Sequence, residues 1–100
     1  MEKFTGYYEF NNAEYYALIK VTSKYNLMFN AMKLYIEHVG GYDNLDHMRI
    51  EKAHPTKISE DEALLKFIKC EPHQDMRVRE VMQVFKSADN SVLIVDESLL

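Results

Sequence analysis

The sequence predicts a small α+β fold in a single domain over residues 1–100. It has an N-terminal β-hairpin packed against a long helix and elements in the order β-β-α-(β)-α-α-β. The helices are expected on one face of a mainly antiparallel sheet. Three observations carry this expectation. Residues 4–10 alternate with the period of a half-buried strand. Ile19-Lys20-Val21-Thr22 is rich in β-branched residues, which suit strands. An apolar stripe at helical spacing then runs from Leu27 to Val39 and stops at Gly40-Gly41.

In the first strand Phe4, Gly6, Tyr8 and Phe10 point one way, while Thr5, Tyr7 and Glu9 point the other. Asn11-Asn12 suits a two-residue hairpin loop, because Asn tolerates the positive φ of a type I′ turn. That loop sets Phe10 opposite Ala13, Tyr8 opposite Tyr15, Gly6 opposite Ala17 and Phe4 opposite Ile19. Paired residues share a face, so the apolar set continues through Ala13, Tyr15, Ala17, Ile19 and Val21. The second face collects Thr5, Tyr7, Glu9, Glu14, Tyr16, Leu18, Lys20 and Thr22 and is wetter. Gly6 leaves a shallow spot on the buried face, where a helix is expected to sit close. A competing reading makes residues 12–39 one helix, with Asn11 and Glu14 as a capping box. The β-branched run and the closing register favour the strand.

Thr22 or Ser23 then caps a helix running to Val39, with Leu27, Met28, Ala31, Met32, Tyr35, Ile36 and Val39 inward. Residues 42–45 read as loop, and residues 46–52 as a third strand with Met48 and Ile50 inward. His54-Pro55 breaks it. Ser59 and Glu62 form a capping box for a helix carrying Ala63, Leu64, Phe67 and Ile68, which ends near Cys70 before Pro72. Asp75 can cap a further helix with Val78, Val81, Met82 and Phe85 on one side. The alternative pairs residues 81–86 with residues 92–95 as a hairpin. Residues 91–95, SVLIV, read as a well-buried final strand.

Composition narrows the function classes. Hydrophobic residues make up 47% and charged residues 28%, which is globular rather than disordered chemistry. A formal charge of −4 argues against a groove that tracks phosphates along a nucleic acid. A single cysteine excludes an internal disulfide and fits a reducing cytoplasm. Neither a membrane-spanning apolar run nor a signal-peptide pattern is seen, so no membrane role is expected.

The chemical motifs are sparse. Cys70 and His73 have the spacing of half a metal site, and His47 with His54 would be the other half. Six residues separate those two histidines, one more than the usual pair allows. Cys70 beside a histidine has no local signature of a nucleophile. The acids Asp43, Asp46, Glu60, Asp61 and Glu62 lack the regular oxygen spacing of a calcium loop. Gly40-Gly41 follows a helix, whereas a phosphate-cradling loop precedes one. No catalytic residue, cofactor or firm metal site is therefore expected, and the chain does not read as an enzyme.

What remains is the wetter sheet face. Tyr7, Tyr16, Leu18 and Lys20 form a mixed aromatic surface suited to contacts with another protein or a second copy of the chain. The competing expectation is that the chain's own later helices cover this face. Tyr7, Tyr16 and Tyr25 could instead stack nucleic-acid bases, although the acidic charge opposes it. The Tyr, Asn, Met, Lys and Glu bias resembles that of small accessory proteins of phages and mobile elements. The expected function is a small intracellular non-enzymatic binding module that occupies a partner's surface, with a nucleic-acid-binding regulator or a Cys/His metal protein as alternatives.

Overall fold

A four-stranded antiparallel sheet in the order β3-β1-β2-β4 forms the centre of the molecule, with helices on both sides. The elements are β1 (Phe4–Phe10), β2 (Ala17–Ser23), α1 (Leu27–His38), α2 (Leu45–Ile50), β3 (Thr56–Ile58), α3 (Glu60–Ile68), α4 (Val78–Ser87) and β4 (Ser91–Val95). The structure is a computed structural model and describes residues 3–69, 77–87, 89–96 and 98.

The hairpin forms, and residues 17–23 are strand rather than helix. Its register differs from the expected one: Phe10 pairs with Ala17, Gly6 with Val21 and Phe4 with Ser23. The connection therefore spans residues 11–16 instead of Asn11-Asn12 alone. The reason lies outside the hairpin. Tyr35, in α1, accepts a hydrogen bond from Tyr15 N at 2.9 Å through its hydroxyl and donates to Tyr15 O at 2.6 Å. The Tyr42 hydroxyl accepts from Glu14 N at 2.8 Å. Two tyrosines thus satisfy backbone groups that a tight turn would have paired internally. The displacement is an even number of residues, so no side chain changes face.

The first core holds Tyr8, Phe10, Ala17, Ile19 and Val21 from the sheet against Ala31, Met32 and Tyr35 of α1, with Met48 and Ala53. Phe10 and Tyr35 meet at 4.6 Å between ring centroids. The shallow spot at Gly6 is filled as expected: a Cβ there would lie 3.2 Å from Leu27 Cδ1 and 2.7 Å from Tyr8 Cε2. Phe4, expected inward, is exposed at the end of its strand.

Three boundaries differ from expectation. α1 starts at Leu27 behind Asn26, which takes φ 46 and makes no side-chain cap bond. Ser23 belongs to β2, not to a cap. Residues 45–50 are helix, not strand. Asn44 Oδ1 accepts from His47 N at 2.9 Å, Met48 is buried, and Ile50 faces outward. The third strand is instead the short β3 just after Pro55. Gly40 and Gly41 end α1 with φ of 93 and 91, as their positions suggest.

The single helical layer of the sequence reading is in fact two. α3 and α4 pack on the second sheet face and close a second core of Tyr7, Leu18, Ala63, Phe67, Val81 and Phe85. Ser59 caps α3 as expected, its Oγ accepting from Glu62 N at 3.1 Å. Residues 78–87 are helix rather than hairpin strand. β4 is a half-buried edge strand, not a deeply buried one. A bulge between Leu18 and Ile19 in its pairing with β2 leaves Leu93 unpaired, and both Leu93 and Ile94 pack on the second core.

Candidate functional site

The tyrosine face expected to meet a partner is closed. Tyr7 retains 6% of its surface, Leu18 0% and Lys20 7%. Tyr7 stacks on Phe85 of α4, with centroids 5.3 Å apart and ring planes 6° apart. Ala63 and Phe67 of α3 and Val81 and Phe85 of α4 cover this face, and removing their apolar surface from water favours the closure. Tyr16 is half-buried at the edge, where its hydroxyl donates to Glu9 Oε2 at 2.7 Å. The open contact surface of Tyr7, Tyr16, Leu18 and Lys20 is therefore corrected to an internal one.

The same face holds two buried charges. Glu9 also accepts a hydrogen bond from Lys66 Nζ of α3, which ties that helix to β1. Burial alone would raise the Glu9 carboxyl. The hydrogen bonds from Lys66 and Tyr16, with the Lys66 charge, outweigh it and hold the group below the ordinary carboxylate range. Lys20 has no carboxylate in salt-bridge range among the described residues. Its ammonium donates to Phe85 O and Lys86 O, both at 3.3 Å, at the negative end of α4. It also lies 6.0 Å from the centre of the Tyr7 ring and 5.8 Å from that of Phe85.

Beside Lys20 a cleft of about 400 Å³ opens, lined by residues of β1, Lys20, the β3–α3 junction and Lys86. β3 pairs with β1 only across Tyr7–Glu9, then turns away into α3. That departure leaves the β1 edge at Thr5 and Gly6 without a β3 partner, and the gap forms there. Lys57, Ser59, Glu60 and Lys86 stand exposed around it. Burial pushes the Tyr7 hydroxyl up, and the Glu60 and Asp89 charges add to the shift.

The metal candidates do not assemble among the described residues. His54 is exposed, and His47 Nδ1 accepts from Asp43 N at 3.1 Å, which occupies one of its two nitrogens. Cys70 and His73 lie outside the described residues. No group of three or more potential ligands occurs among the described ones.

One surface was missed by the sequence reading. Phe4, Tyr25, Met28 and Phe29 are 60%, 68%, 45% and 48% exposed, all at the end of the hairpin where α1 begins. Phe4 pairs with Ser23, so the strand end adjoins the turn that carries Tyr25. This turn is held firmly. The Asn30 side-chain amide donates to Ser23 Oγ, Tyr25 O and Asn26 O at 3.2, 3.0 and 3.1 Å. Ser23 Oγ in turn donates to Tyr25 O and accepts from Tyr25 N. The Lys33 ammonium sits 5.8 Å from the Phe29 ring centre, and Lys3 and Lys24 are exposed nearby in sequence. Met28 falls on the predicted stripe, yet only Ala31, Met32 and Tyr35 of that helix are buried. The available signal was the excess of apolar residues, Met28 and Phe29 beside Leu27, over what one helix face can bury.

A family model described as the YosH C-terminal domain matches residues 5–94. No curated protein and no solved structure matches the chain.

Proposed function

We propose a function for this chain, which belongs to the YosH C-terminal domain family: a small non-enzymatic module that binds another protein through its exposed aromatic end. The observation that supports this reading is the group Phe4, Tyr25, Met28 and Phe29, left in solvent on the strand end, the turn and the first helical turn that meet where Asn30 and Ser23 bond the turn. Grouped exposed apolar residues on a small domain mark contact surfaces, and rigid aromatics bind at low entropic cost. Lys3, Lys24 and Lys33 set a basic rim, which suits a partner segment with apolar anchors flanked by acids. The single Cys70 supports a reducing compartment as its place of action.

The test uses the full chain as bait beside a Tyr25→Ser/Phe29→Ser double variant. A partner retained by the parent and lost by the variant, at an unchanged thermal midpoint, is the expected result. Equal retention by both overturns the assignment to this surface. The same two proteins in light scattering show whether the partner is a second copy: a parent dimer that the variant abolishes moves the reading from another protein to self-association.

A further inference from the structure

We propose that the cleft beside Lys20 binds a small phosphate monoester, with Lys20 and Tyr7 donating hydrogen bonds to its phosphate oxygens. The inference is independent of the aromatic end and begins from an imbalance of charge. Buried ammonium groups in proteins are normally matched by a carboxylate. Lys20 is 7% exposed and has no such partner among the described residues. Two long hydrogen bonds to the carbonyls closing α4 use two of its three donors. A third remains, and the side chain forms part of the cleft wall.

Tyr7 supplies the second observation. It is 6% exposed, and its hydroxyl has no hydrogen-bond partner among the described residues. The oxygen is not sealed in, since the fully buried side-chain oxygen left without a partner among the described residues is Ser91 Oγ. The Tyr7 hydroxyl therefore keeps contact with solvent, and both Tyr7 and Glu60, whose charge acts on that hydroxyl, line the cleft. Two unspent donors on buried side chains converge on one gap, and an oxyanion is the ligand that satisfies both.

The choice of phosphate follows from charge and room. Lys20, Lys57 and Lys86 line the cleft against the lone carboxylate of Glu60. The surplus of two positive charges matches a phosphate dianion better than a carboxylate. Asp89, which also acts on Tyr7, keeps its charge but does not line the cleft, and accepts from Thr22 Oγ1 at 2.6 Å. The cleft opens at the start of α3, where the helix dipole favours negative charge. About 400 Å³ exceeds the needs of a bare ion and leaves space for a small organic group. Glu60, at the mouth, would accept a hydrogen bond from a hydroxyl on that group.

Two-dimensional NMR of the full chain provides the test. Inorganic phosphate, glycerol 3-phosphate and acetate are titrated separately at matched ionic strength. Glycerol 3-phosphate should give saturable shifts confined to Thr5–Tyr7, Lys20 and Lys57–Glu60, at least as tightly as inorganic phosphate. Acetate should bind about tenfold more weakly. Tyr7→Phe keeps the stacked ring, and a Lys57→Ala/Lys86→Ala pair alters only exposed side chains. Each should weaken glycerol 3-phosphate about tenfold at an unchanged thermal midpoint. Absence of saturation, equal binding of acetate, or affinity unaltered in both variants would overturn the assignment.

Discussion

Replacing Tyr35 by Phe removes one oxygen and keeps the ring that packs on Phe10. That oxygen accepts from Tyr15 N and donates to Tyr15 O, so one substitution strips both bonds from a single residue of the β1–β2 connection. A net hydrogen bond contributes about 0.5–1.5 kcal/mol, and more where the groups left behind are shielded from water. Tyr15 is half-buried, so its two backbone groups recover only part of their hydration. The expected cost is about 2 kcal/mol in all. For a domain of this size that lowers the thermal midpoint by about 8–16 °C. Urea unfolding followed by circular dichroism should show an earlier midpoint at unchanged slope. The Tyr15 amide should also lose protection from hydrogen exchange. Tyr42→Phe is the internal control. It loses a single exposed bond to Glu14 N and should cost about 0.5 kcal/mol. If Tyr35→Phe costs no more than Tyr42→Phe, the claim that Tyr35 fixes the connection is wrong.

Three further outcomes follow from the same contacts. Burial raises Tyr35 to about 12, partly offset by its bond to Tyr15. Because the folded value lies above the unfolded one, this contribution is intact below about pH 10 and is lost as pH rises towards 12. Alkaline unfolding curves of the parent should show a decline in that window that Tyr35→Phe makes shallower, the raised Tyr7 and Tyr8 hydroxyls supplying what remains. Glu9 has the opposite sign: its folded value is depressed, so its contribution is present above the ordinary carboxylate range and disappears as pH falls from there through the lower folded value. Lys66→Met should remove that acid dependence and cost about 1–2 kcal/mol at neutral pH, a figure discounted because Lys66 is partly exposed. Equal acid midpoints in parent and variant would disprove the role of the pair. Lastly, Gly41→Ala should destabilise more than Gly40→Ala. Both carry positive φ, but a Cβ on Gly41 would sit 3.0 Å from Glu14 Cβ while that on Gly40 meets open space. Equal losses in denaturant would mean that φ alone decides.

The sheet and its two faces were legible because alternation survives an even displacement. Tyr8, Phe10, Ile19 and Val21 enter the first core under either register. The loop was not legible, since hydroxyls twenty and twenty-eight residues away satisfy its backbone. Residues 46–52 misled because Met48 and Ile50 mimic a strand's period, whereas Asn44 starts a helix that buries Met48 alone. The tyrosine face misled because Glu9 and Lys20 look like solvent-facing charges. Counting apolar stripes would have helped. α1 already fills one sheet face, so the stripes ending in Phe67 and Phe85 need the other. The exposed aromatic end depends on which part of the α1 stripe reaches the sheet, and spacing alone does not settle that.

Neighbouring residues on β1 serve separate interiors, Tyr8 towards α1 and Tyr7 towards α4. During synthesis the chain can assemble most of the first interior once residue 53 has emerged, with Val92 joining later, while the other flank of the ribbon is still bare. Until residues 63–85 follow, a greasy strip of Tyr7 and Leu18 faces water, interrupted only by Glu9 and Lys20. Those two charges would then be hydrated, and charge within an apolar strip opposes association of unfinished chains. Ion pairing to Lys66 and the carbonyls closing α4 take over once α3 and α4 dock, so the charges that cost most to bury are the ones that break up the strip beforehand.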